Sequence, residues 1–200
     1  MRTDPRRLAG LLLVITTAPL AAQEARLAER LPAGVAHEVQ RVVDSAGRAA
    51  LPTEPLVLKA LEGASKGADS ARIITAVRTL AANLGSARVA LGPAASEAEL
   101  VAGAAALRAG ATGPSLATLR QLRKGEPLVV PLSVLADLLT AGLATDRAWS
   151  SVREMATRGG SDAAFLAMRD DLMTPARGRT VPPAAEQPPT TPLPPTRSRP

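Results

Sequence analysis

The sequence predicts an all-α protein of helical hairpins followed by a disordered C-terminal tail, and three observations carry that expectation. Apolar residues recur at three- and four-residue intervals through the middle of the chain, glycine, proline and N-cap residues punctuate those runs, and no stretch alternates with the two-residue period of a half-buried strand. At 200 residues the chain has room for one ordinary domain once its atypical ends are set aside. The domain expected from composition is therefore 23–172, between an export signal at 1–22 and a proline-rich tail at 173–200.

Residues 1–22 read as a basic MRTDPRR, an apolar LAGLLLVITTAPL and a small-residue site, Ala21-Ala22, ahead of Gln23. The apolar stretch, about 15 residues, falls short of the ~20 that a spanning helix needs, which favours a cleavable signal over an anchor. Cleavage is expected after Ala22, with Leu20 at the third position before the cut leaving room for a one-residue shift. Three arginines followed by an uncharged block with no amphipathic period are poor material for a surface helix. Usage rich in Ala, Arg and Pro points to a high-GC bacterial genome and hence to a periplasmic or secreted product.

The first helical run, Val35 to Ala50, places Val35, Val39, Val42, Val43 and Ala46 on one stripe before Leu51-Pro52-Thr53 breaks it. A second starts near Thr53 with Pro55 in its first turn and stops at Gly67. Asp69 or Ser70 caps a third, whose Ile73, Ile74, Val77 and Leu80 lead to about Leu84, with Gly85 placed to end it. Ser96 and Glu99 have capping-box spacing at the head of a fourth that ends near Gly110. Pro114 opens a fifth through Leu122, and further runs cover about 131–141, 145–158 and 161–172, which makes eight helices after the signal.

The punctuation repeats. In GADSARIITAVRTLA (67–81), Gly67, Arg72, Val77, Arg78 and Ala81 match Gly142, Arg147, Val152, Arg153 and Ala156 of GLATDRAWSSVREMA at a constant offset. AGATGPSLATLR at 109–120 has the same order of glycine stop, short polar turn, cap and helix. Each unit reads as a helical hairpin, and the set reads as an irregular α-solenoid or, alternatively, as a compact orthogonal bundle. The intervals between Gly67, Gly110 and Gly142 are unequal, and the tetratricopeptide and ankyrin signatures are both missing.

Composition narrows the chemistry. With no cysteine, the chain has no thiolate metal site, thiol nucleophile or lipid-modified cysteine. Trp149 and Phe165 are its only aromatic residues, so the core must be aliphatic and bases would find no stacking platform. The net charge of +6 sits largely at the ends, where Arg2, Arg6 and Arg7 oppose Asp4, and Arg177, Arg179, Arg197 and Arg199 oppose Glu186. A folded body so nearly neutral is not expected to bind nucleic acid. The tail, with nine prolines in 174–200 and only Val181 and Leu193 as large apolar groups, has the composition of a polyproline II spacer.

No catalytic, cofactor-binding or metal-binding residue is assigned. Gly63-Ala64-Ser65-Lys66-Gly67 fits GxSxG, but that motif works on a strained strand-to-helix turn, and the sole histidine, His37, precedes the serine. His37-Glu38 begins an HExxH pattern whose fifth position is Arg41, so a zinc site would lack its second histidine. What remains are the recurrent arginines Arg72, Arg78, Arg147 and Arg153, which would line one surface if the hairpins stack, and Trp149, an interface anchor if exposed and a core residue if not. The function expected is an exported, non-enzymatic scaffold of the cell envelope that binds a protein or peptide. The alternatives are a hydrolase or other enzyme without motif spacing, and a structural envelope component that lies against anionic polymers through its basic tail.

Overall fold

The computed structural model describes residues 18–174, and every element among them is helical. The expected tail lies outside the described residues except for 173–174, as does the expected signal except for 18–22. Nine helices follow one another: α1 (Ala18–Arg30), α2 (Ala33–Arg48), α3 (Glu54–Ser65), α4 (Ser70–Leu91), α5 (Glu97–Ala109), α6 (Gly113–Leu122), α7 (Val129–Thr140), α8 (Thr145–Thr157) and α9 (Asp162–Met173). None of the described helices is long and apolar enough to cross a membrane.

Two expectations are corrected. The helix α1 was not foreseen, because residues 23–34 offer only Leu27 and Leu31 as large apolar groups, yet these stand four apart and both are buried. It also begins ahead of position 22, so the backbone is helical across the expected cut. The second correction concerns α4, which continues through Gly85 to Leu91. A helix-interior glycine costs about 1 kcal/mol relative to alanine, but Leu84, Ala87 and Leu91 carry the buried stripe past it. The true stop is Gly92, at φ 85°.

Helix ends follow one recurrent pattern. At Ala50, Gly67, Gly110, Gly142 and Gly159 the chain takes a positive φ, and the next residue's N–H donates back to the carbonyl five residues earlier at 2.9–3.0 Å. At the four glycines the next helix has its N-cap two residues on, at Asp69, Thr112, Ala144 and Ser161, of which all but Ala144 accept a backbone N–H through the side chain. Of the helices joined by these short links, α3 packs on α4 and α7 on α8, whereas α5 and α6 share no substantial contact.

The core sits around α5 and α7. The helix α5 packs on α4 and α7, and α4 in turn receives α2, α3 and α6. Small residues make the close approach possible: a Cβ at Gly103 would meet Ala87 Cβ at 3.1 Å, Leu91 Cδ1 at 3.2 Å and Leu116 Cδ2 at 3.3 Å. Helix α7 supplies the bulk, with Leu132, Val134, Leu135 and Leu138 buried. Every substantial helix–helix contact joins elements one or two places apart in the chain.

Two buried charged residues tie the loops to this frame. Glu99 is 6 % exposed; one oxygen closes the capping box at the Ser96 N–H (2.9 Å), and the other accepts from Arg120 Nη2 (2.6 Å) and the Leu128 N–H (2.9 Å). Burial alone would raise this carboxyl, but the Ser96 amide, Arg120 and the Leu128 amide together hold it below its ordinary value. Arg123 is 5 % exposed; it donates to the Gly160 carbonyl at 2.6 Å, pairs with Glu126 at 2.7 Å and lies over the Phe165 ring.

Candidate partner-binding surface

The structure gives the two matched segments closely similar environments. Gly67 and Gly142 both take positive φ, Val77 and Val152 are both fully buried, and Arg72, Arg78, Arg147 and Arg153 are all exposed. Their pairing differs: Arg78 donates to Glu38 at 2.8 Å and Arg72 lies 3.8 Å from Asp69, whereas neither Arg147 nor Arg153 is in an ion pair among the described residues. The arginines fall on α4 and α8, which share no substantial contact, so the four do not gather on one packed pair of helices. Trp149 is half-buried against the core, like its counterpart Ile74.

The catalytic motif match dissolves into helix-end chemistry. Ser65 Oγ donates to the Glu62 carbonyl at 2.9 Å in the last turn of α3, an ordinary satisfaction of an orphan acceptor. Gly63 instead serves packing, since a Cβ there would meet Ile73 Cγ1 at 2.8 Å. The Glu62 carboxyl is lowered to about 2 by Lys66 and Lys59, at the protein surface. His37 is exposed on α2, and among the described residues no three His, Asp or Glu side chains stand close enough to hold a metal.

A different surface emerges where α4, α5 and α6 meet. A groove of about 810 Å³ is lined by Ala82, Gly85, Ser86, Val89 and Ala90 of α4, Leu107 of α5, and Gly113, Pro114 and Ala117 of α6. The α4 positions 82, 85, 86 and 89 recur with helical spacing, so one face of the helix forms the wall. No charged side chain lines it, and Val89 stands 86 % exposed within it. A second cleft of about 610 Å³, where α2 meets α4, is polar by contrast, lined by Glu38, Arg41, Asp44, Arg48 and Arg78 among others.

Part of the groove wall, at Ser86, Val89 and Ala90, lies beyond Gly85, where the sequence places the end of this helix. The signal was present, since Leu84, Ala87 and Leu91 extend the apolar period and Gly92-Pro93 is the stronger terminator.

No family model matches the chain, and no curated protein or solved structure matches it either.

Proposed function

We propose that the chain is an exported, non-enzymatic helical scaffold of the cell envelope, and that it binds a protein or peptide partner in the α4–α5–α6 groove. The observation that carries this reading is Val89, a large apolar side chain 86 % exposed within a groove lined without charge. Covering a valine is worth about 1.5–3 kcal/mol, a free-energy gain that the isolated chain forgoes. The export part of the reading is supported by the composition of residues 1–22.

The test is affinity capture from the host's envelope fraction with the wild-type chain, Val89→Asp and Arg153→Glu, each checked for helical content by circular dichroism. The expected result is a protein retained by wild type and Arg153→Glu and lost by Val89→Asp. Retention by all three would overturn the groove as the binding surface.

A further inference from the structure

We infer that Met155 is a site of reversible oxidation to the sulfoxide, and that this modification loosens the turn between α8 and α9. Three of the chain's four methionines, Met155, Met168 and Met173, fall within these two helices. Met155 and Met168 line a common open cleft of about 490 Å³ where α8 meets α9. Both are half-buried against the core, so each gives part of its side chain to the packing and part to solvent. Met173 is 44 % exposed at the end of α9.

Met155 has a place in the turn itself. Its Cγ and Sδ lie over Gly160, so closely that a Cβ there would collide with both, the Cγ standing 2.7 Å away. The backbone of the same two residues closes the turn, with the Gly160 N–H donating to the Met155 carbonyl at 3.0 Å. The Gly160 carbonyl in turn accepts from Arg123 Nη1 at 2.6 Å, and that guanidinium lies over the Phe165 ring of α9. The apolar thioether on Gly160 therefore supports the acceptor that Arg123 uses.

A hydroperoxide entering the cleft supplies the oxidant. The sulfur lone pair attacks one peroxide oxygen and the O–O bond breaks; the sulfoxide forms, and with hydrogen peroxide the other oxygen leaves as water. The S=O group is larger than the thioether and strongly polar, and the contact with Gly160 is already close. Hydration of that group draws the side chain off the turn and frees Gly160 to move away from Arg123.

The test treats the full chain with hydrogen peroxide, maps oxidised methionines by peptide mass spectrometry and follows amide exchange across 158–165. Met155 is expected to gain one oxygen in the folded chain, with exchange across 158–165 rising about tenfold and returning after treatment with methionine sulfoxide reductases. Met155→Leu, close in volume, should keep the turn and lose the response, whereas Met173→Leu should respond like wild type. Oxidation of Met173 with Met155 left intact overturns the inference. An oxidised Met155 without faster exchange, or an equal response in Met155→Leu, overturns it as well.

Discussion

Arg88, near the end of α4, donates from Nη2 to the carbonyl of Ala50 at 3.1 Å, and Ala50 is the one non-glycine among the described residues with a positive φ, 52°. The same guanidinium reaches the carbonyls of Pro93 and Ala95 from Nη1, at 3.0 and 3.1 Å. A single side chain thus holds the turn after α2 against the turn after α4. That coupling depends on the whole of α4 staying helical past Gly85.

The left-handed residue at the end of α2 is an alanine where the four equivalent turns use glycine. Ala50→Gly removes the Cβ penalty and is expected to stabilise the fold by about 1 kcal/mol, the reverse of the usual loss when alanine replaces a left-handed glycine. Thermal unfolding should register a rise of roughly 2–4 °C for a chain of this size. A lower midpoint would mean that the backbone at residue 50 is not left-handed.

Two helix-interior glycines should respond in opposite directions. Around Gly85 nothing lies within 4 Å of an added Cβ, so Gly85→Ala is expected to gain about 0.5–1 kcal/mol from helix propensity alone. Gly103 already has three side-chain atoms at 3.1–3.3 Å from the Cβ position, and Gly103→Leu is expected to cost about 3 kcal/mol or more through overpacking. Urea unfolding of both variants tests the pair, and a loss at Gly85 would argue that the helix does break there.

Glu99 sets an acid limit on stability. Its folded carboxyl lies below the ordinary value of 4.5, so its contribution is complete above that pH and is lost as the pH falls through the folded value. Glu99→Gln is expected to cost about 2–3 kcal/mol at pH 7 and to flatten the decline of stability below pH 4.5, as measured by urea titrations across pH. An unchanged acid slope in Glu99→Gln would sink the assignment. Glu62 shares the direction of shift but sits at the surface, where solvent screening leaves such a pair little weight.

Arg123 is the other inward charge, and its partners come from two separate turns. Arg123→Ala leaves the Gly160 carbonyl without its donor and uncovers Phe165, for an expected loss of about 2–4 kcal/mol. Arg123→Lys should recover only part of this, because a point-like ammonium cannot serve the carbonyl, Glu126 and the ring together. Full recovery by lysine in a thermal melt would refute the role given to the planar group.

The legible parts of this protein were those whose signal is local. Ser96 and Glu99 announce the head of α5 through three-residue spacing, and Asp69, Gly67 and Gly142 mark their turns from identity alone. What Glu99 does with its other oxygen was illegible, because Leu128 and Arg120 lie 29 and 21 residues away and no spacing rule connects them. Gly85 shows the complementary failure, in which a local breaker is overruled by Ala87 and Leu91 finding places in the core. The groove follows the same logic, since the helical face that carries Val89 lies past the residue whose identity marks a stop.

Among the described residues every substantial contact joins helices one or two places apart along the chain, so none of these contacts ties α1 to α9. Opening can begin at either end and halt partway, so amide hydrogens should exchange fastest in α1 and α9 and slowest in α5 and α7. The groove, built from α4, α5 and α6, lies toward the slow end of that gradient. A partner would therefore meet a surface that stays assembled while the ends of the molecule fray.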